Sequence, residues 1–220
     1  MELKSIKNNI PKELYNIIER EITKLRPAQA KSIKKGLLQG KNLLVCTPTA
    51  SGKTLIAELT ALKSIIEGKG KAVYIVPLKA LASEKYKDFK KRYGKIAEIA
   101  LSIGDIDSSD HYLAEYDLIV TTSEKLDSLI RHQAPWLSSI KTVVIDEIHL
   151  LNDSERGPTL EILITILKKL LKNAQIIALS ATIGNAEELA EWLQAELVVD
   201  DWRPVKLHKG IYYDGKVEFY

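Results

Sequence analysis

One cysteine, Cys46, is all that the 220 residues contain, so no internal disulfide can form and a reducing, cytoplasmic setting is expected. It follows the apolar run Leu43-Leu44-Val45 and reads as a small packed hydrophobe, not a catalytic thiol. The opening Met1-Glu2-Leu3-Lys4 lacks the apolar core of a signal peptide. Long apolar runs are missing too. The stretch from Leu160 to Leu171 is broken by Glu161, Lys168 and Lys169, so no membrane partner is expected. Charge of one sign is scarce: 32 basic against 29 acidic residues leave +3, which alone selects no class of partner. His111, His132 and His208 lack metal-ligand spacing, and there are no repeats and no low-complexity segment.

What is present is an ordinary globular composition, 45% apolar and 28% charged, of a length that suits one sizeable α/β core. Short apolar runs at Asn42–Cys46, Ala72–Val76, Ile96–Ser102, Asp117–Thr121, Thr142–Ile145, Gln175–Leu179 and Leu197–Val199 read as strands. Several are continuously apolar, as strands covered on both faces of a parallel sheet must be. Between them lie helical patterns at Lys31–Leu38, Lys53–Glu67, Leu78–Arg92, Ser123–Arg131, Pro158–Lys172 and Ala186–Gln194. The alternation predicts a doubly wound, mainly parallel α/β sheet with helices on both faces. Pro27 suits a first helical turn, and Asn185 with Glu188 three residues on reads as a side-chain N-cap. A short helix is expected over Pro11–Glu21. The last twenty residues end in alternating Ile211, Tyr213, Val217 and Phe219, a strand-rich segment leaving the domain.

Two constellations carry chemistry. Thr47-Pro48-Thr49-Ala50-Ser51-Gly52-Lys53-Thr54 joins an apolar strand to a helix, the context of a phosphate loop whose backbone N–H groups cradle an anion. Lys53 would reach the β- and γ-phosphates of ATP and Thr54 would hold Mg²⁺, although Thr47 stands where the strict motif has glycine. Asp146-Glu147-Ile148-His149 ends the strand Thr142–Ile145 at the edge where open α/β sheets bind ligands. Asp146 suits the Mg²⁺ shell, Glu147 a general base, and His149 a sensor of the phosphates. Ser180-Ala181-Thr182 ends the next strand, with hydroxyls expected to hydrogen-bond the acidic tetrapeptide.

Together with Arg26-Pro27-Ala28-Gln29, Pro77-Leu78-Lys79-Ala80-Leu81 and Thr121-Thr122-Ser123-Glu124-Lys125-Leu126, this ordered set resembles superfamily 2 DExH-box helicases, whose first motor domain is a RecA-like P-loop NTPase fold. The run Ser180 to Asn185 and Trp202-Arg203-Pro204-Val205 narrow the resemblance to archaeal DNA repair helicases of the superkiller-like branch. It implies that Gln29 reads the adenine edge and that Pro77, Lys79, Thr121 and Thr122 grip the backbone of single-stranded or forked DNA, with RNA as the alternative. It implies that Arg156, within Asp153–Gly157, touches a second RecA-like domain, and that Ser180 and Thr182 report nucleotide state. Tyr15 is the candidate for the aromatic that stacks on adenine in many relatives.

The implied layout is an N-terminal helical segment 1–24 packed on the core, a RecA-like domain 25–200, and a segment 201–220 leading toward a second domain. The expected species is a monomer that binds nucleotide weakly and hydrolyses it negligibly without the partner domain's arginines. Two other classes stay open: a small-molecule kinase, for which no arginine-rich lid is visible, and a binding module with vestigial catalytic residues. The basic run Lys85, Lys87, Lys90, Lys91, Arg92 and Lys95 reads as a solvated helix face, with nucleic-acid contact as the alternative.

Overall fold

A computed structural model describes residues 1–104 and 110–219. Seven strands form one parallel sheet: β1 (Leu43–Cys46), β2 (Lys71–Val76), β3 (Ile99–Ser102), β4 (Leu118–Thr122), β5 (Ile140–Ile145), β6 (Gln175–Ser180) and β7 (Glu196–Val199), in the spatial order β3-β4-β2-β5-β6-β1-β7. β1, β4 and all but one residue of β5 are buried, as their unbroken apolar sequences require when both faces are covered.

Strand periodicity divides the core into two halves. Leu43, Val45, Ala72, Tyr74 and Val76 point to one face and pack against α1 (Lys12–Glu19), α3 (Lys53–Ile66) and α4 (Lys79–Tyr93), with α2 (Pro27–Lys34) at the β1–β7 side. Leu44, Cys46, Val73 and Ile75 point to the other and meet α5 (Ser123–Arg131), α6 (Gly157–Leu170) and α7 (Ala186–Leu193). Residues before α1 fold back on the first half: Leu3 and Ile6 are buried in it, and Leu25 N donates to Met1 O at 2.9 Å. Among the described residues, no helix is long and apolar enough to cross a membrane.

The periodic elements lie where the sequence predicts them, with displaced ends. The helix expected over Lys31–Leu38 starts instead at Pro27 and stops at Lys34, because Gly36 adopts a left-handed φ of +102° before a 3-10 turn, Leu37–Gln39. β3 begins three residues late: Ile96 N and Ala97 N both return to Tyr93 O and close the turn after α4. Asn185 precedes α7, but its side chain caps nothing. Gly157 opens α6 against the carbonyl of Leu151, where a Cβ would collide with backbone. The closing segment is a hairpin of β8 (Gly210–Tyr213) and β9 (Lys216–Phe219), turned by Asp214 and Gly215 at positive φ and exposed along its length.

Candidate nucleotide and nucleic-acid site

All seven sheet strands run the same way, so the loops after β1, β2, β4, β5 and β6 open at one edge. β6 pairs with both β1 and β5, which sets the loop Thr47–Thr54 beside the tetrapeptide Asp146–His149. The sequence-predicted groups on those loops meet here.

In the phosphate loop, Ala50 at φ +64° and Gly52 at φ +91° turn the backbone into α3. The positive φ favours glycine at position 52, where a Cβ would also lie 2.5 Å from Gln29 Nε2 and displace that amide. Thr47 and Ser51 are buried and their hydroxyls bond each other at 2.7 Å, while Thr49 and Ala50 are exposed. Lys53 Nζ donates to its own loop's carbonyls, Thr47 O at 2.8 Å and Pro48 O at 3.2 Å. Burial pulls this ammonium below the usual lysine range, opposed by the nearby charges of Glu147 and Asp146.

On the facing loop, Asp146 N extends the ladder to Ile75 O at 2.8 Å, and Glu147 then takes a left-handed φ of +53° that aims its carboxylate out of the strand. Both Asp146 oxygens are held: Oδ1 accepts from Glu147 N at 3.1 Å and Oδ2 from the Tyr74 hydroxyl at 2.8 Å. His149 Nδ1 lies 3.3 Å from Glu147 Oε2 without the orientation of a hydrogen bond. Thr54 Oγ1 accepts from Lys85 Nζ at 3.1 Å, and the same ammonium is 4.0 Å from Asp146 Oδ2. A hydroxyl and a carboxylate thus already share one cation, as a divalent ion bound through one carboxylate and its substrate's phosphates would require. Among the described residues, no group of three or more acidic, histidine or cysteine side chains is placed to hold a metal ion, here or elsewhere.

A cleft of about 470 Å³ flanks the loop, with Ile22, Arg26, Gln29, Gly52, Thr54 and Lys85 in its wall. A larger cleft, about 580 Å³, lies at the opposite edge of the sheet, among Leu37, Asn42, Lys141 and Gln175, away from every predicted site residue.

Several expectations need correction. Gln29 is buried and committed on both sides: Oε1 accepts from Arg26 N at 2.8 Å and Nε2 donates to Gly52 O at 2.9 Å, so the amide must turn before it can read a base. Tyr15 is 1% exposed inside the core, which removes it as a stacking platform. Thr121 and Thr122 are buried too, with Oγ1 of the first on Ser102 O at 2.7 Å and Oγ1 of the second accepting from Lys125 N at 3.4 Å. Both hydroxyls are turned inward to protein partners. Pro77 and Lys79 do stand at the open start of α4, beside the start of α5, because β2 pairs with β4. Ser180 Oγ is buried without a hydrogen bond and Thr182 is exposed, so neither bonds the acidic tetrapeptide. Arg156 and Glu147 line one small cavity. Burial pushes the Cys46 thiol up to about 11, which leaves it inert at neutral pH.

Three participants were missed: Tyr74, Lys85 and Arg26. Arg26 Nη1 donates to Ala50 O and its guanidinium lies 5.6 Å from the Trp202 ring. Lys85 and Arg92 leave the solvated face assigned to the basic run and turn inward, whereas Lys87 and Lys91 stay exposed. The legible signal was Tyr74 itself, since a phenol inside a fully buried strand must find a partner for its hydroxyl.

Comparison with known proteins agrees with this geometry. The DEAD/DEAH box helicase family matches residues 26–189. The ATP-dependent DNA helicase Hel308 of Pyrococcus abyssi is 53% identical over 210 residues, covering 95% of this chain and 29% of the relative. Hel308 of Methanocaldococcus jannaschii is 57% identical over 205 residues, covering 90% of this chain and 17% of the relative. The chain therefore spans less than a third of the length of these curated relatives. Among solved structures, the DUF1998 helicase MrfA bound to DNA superposes with a TM-score of 0.76 at 26% identity, over 88% of this chain and 30% of that one.

Proposed function

Because the chain belongs to the DEAD/DEAH box helicase family, we propose that it is the ATP-binding motor domain of an ATP-dependent DNA helicase, residues 25–200 forming the first RecA-like unit. In this layout residues 1–24 buttress that unit and 201–220 lead toward a second RecA-like domain. The convergence of Lys53, Thr54, Asp146 and Glu147 at one sheet edge carries the reading.

The backbone N–H groups of Thr47 to Thr54, at the start of α3, cradle the triphosphate. Lys53 exchanges the carbonyls of Thr47 and Pro48 for the β- and γ-phosphates. Thr54 and Asp146 would hold Mg²⁺, which would supply charge neutralisation for the transferred phosphoryl group. Glu147 accepts a proton from the attacking water, and His149, two residues on, senses the phosphates. Gln29 turns from Gly52 O to the adenine edge.

The start of α4, with Pro77 and Lys79, and the neighbouring start of α5, after Thr121-Thr122, grip one DNA strand through backbone N–H groups and the Lys79 charge. Arg156, Ser180 and Thr182 lie at the same edge and couple it to the second domain, whose arginines complete the hydrolytic site; loss of such arginines costs about 10³–10⁵ in rate. The names of the relatives favour DNA as the strand.

Titration of a fluorescent ATP analogue into the chain with Mg²⁺ tests the reading. Lys53→Ala is expected to weaken binding by about tenfold or more, the factor that about 1.4 kcal/mol makes. Equal affinity in the folded variant would overturn the nucleotide assignment.

A further inference from the structure

Lys85 sits where a lysine is not expected. On α4 its neighbours three residues back and four ahead, Ala82 and Phe89, are buried, so it belongs to the helix stripe that faces the core. Its side chain is 22% exposed, and its ammonium ends between Thr54 Oγ1 at 3.1 Å and Asp146 Oδ2 at 4.0 Å. The same ammonium lies 6.0 Å from the centre of the Tyr74 ring, whose hydroxyl donates to that same Asp146 oxygen.

We infer that Lys85 is a tethered counter-cation for the metal position: without a divalent ion it bridges Thr54 and Asp146, and metal entry requires it to leave. The inference rests on the proposed nucleotide and metal reading of this site. Its physical basis is mutual exclusion. Asp146 is only 11% exposed, so its carboxylate is costly to leave unpaired, and the ammonium supplies the missing charge. A divalent ion on the same hydroxyl and the same carboxylate oxygen would meet that ammonium at contact distance, where like charges repel strongly. The flexible four-carbon stem lets Lys85 withdraw into the flanking cleft, where Asp88 offers an alternative carboxylate. Lys85 thereby lowers the fraction of chains ready for metal, and the apparent metal affinity falls by that fraction. It is a positioning residue that sets a metal threshold and leaves the reacting atoms alone.

The test is equilibrium binding of a fluorescent ADP analogue across a Mn²⁺ titration, with free Mn²⁺ followed by its paramagnetic resonance signal. Lys85→Met and the near-isosteric Lys85→Gln are each expected to lower the half-saturating Mn²⁺ by about threefold or more. Lys87→Met, on the exposed face of the same helix, is expected to leave it unchanged. In EDTA without nucleotide, Lys85→Met should melt below the wild type, and the gap should narrow once Mn²⁺ and nucleotide are added. The Lys85 side-chain carbon resonance of the unmodified chain should also shift when Mg²⁺ is added with ADP, a readout that needs no variant to fold. A half-saturating Mn²⁺ that is unchanged or higher in either folded neutral variant overturns the inference, as does a stationary Lys85 resonance. Wild-type nucleotide binding that ignores Mn²⁺ altogether would instead remove the nucleotide and metal reading beneath it.

Discussion

Tyr74 keeps its ring in the core, edge-on to Phe89 at 5.1 Å, and offers the site only its hydroxyl. Burial pushes that phenol far above its usual range, and the neighbouring Asp146 charge pushes it further, so it remains a donor at any working pH. Its single bond, 2.8 Å to Asp146 Oδ2, fixes the carboxylate that the metal would use. Partners of this type are worth about 10- to 100-fold in metal affinity. Tyr74→Phe is therefore expected to raise the half-saturating Mg²⁺ for nucleotide binding by about tenfold, while metal-free nucleotide affinity stays as it was. The direction opposes that for Lys85→Met, since one residue prepares Asp146 for the ion and the other blocks it. If Tyr74→Phe left the Mg²⁺ dependence untouched, Asp146 would not need the phenol. The tyrosine in Ala-Val-Tyr-Ile-Val announces that its hydroxyl needs a partner but not which one, because the acceptor lies 72 residues away. Cys46 is the opposite case: its apolar neighbours made burial legible, and burial is the largest cause of an inert thiol, outweighing the pull of Ser180 and Lys53.

Helices α3 and α4 are stitched together by a charged contact inside their packing. Glu58 of α3 is 4% exposed, bonded to Arg92 and, at 2.9 Å, to the Tyr93 hydroxyl, while Arg92 also holds Glu21 beyond α1. Burial raises the Glu58 carboxyl above its ordinary value of 4.5, with Arg92 and Tyr93 pulling the other way. Removing Arg92 leaves the carboxylate uncompensated, which costs about 3 kcal/mol in comparable buried pairs. The sign with pH follows from the direction of the shift. A carboxyl raised in the folded state stabilises below its unfolded pKa and loses that contribution as pH rises through the folded value. Without Arg92 the folded value climbs further, so the deficit of Arg92→Met should be larger at pH 8 than at pH 5. Urea unfolding at the two pH values measures it, and equal deficits would mean that Arg92 does not neutralise Glu58.

Element identities at this scale were largely readable, because periods of two and near four need only local sequence. Their ends were not: α2 is shifted by Pro27 and Gly36, β3 is shortened by the turn after Tyr93, and Asn185 caps nothing although it stands at the right place. The Asp214-Gly215 pair was a readable hairpin signal within the segment expected to be strand-rich.

At the scale of the whole molecule, the parallel sheet gathers five loops on one edge and sets the starts of α4 and α5 side by side. With Thr121 and Thr122 buried, the proposed strand-gripping surface reduces to backbone N–H groups and Lys79. Such a surface would contact few phosphates and read no bases. Binding of a single-stranded DNA oligonucleotide to this chain should therefore be weak and independent of sequence. Its logarithmic salt slope should be about −2, the value for some three phosphates. Lys79→Ala should flatten that slope by about 0.7, the share of one phosphate on a single strand. Fluorescence anisotropy across a salt series checks this, and binding that ignores salt would sink the proposed track.

Two things were settled by the amino-acid order alone: the alternation of strands and helices, and the identity of the groups on the loops between them. Both rest on short-range rules, since a buried strand must be apolar and a phosphate loop must be small and turn into a helix. Tertiary structure decided which loops meet. Only the order β5-β6-β1 brings Asp146 to Thr54, only the pairing of β2 with β5 sets Tyr74 beside Asp146, and only the packing of α4 on the sheet turns Lys85 toward them. It also withdrew the Thr121 and Thr122 hydroxyls from the surface, because a side chain's exposure depends on what packs over it, and that is fixed by residues far away in the chain.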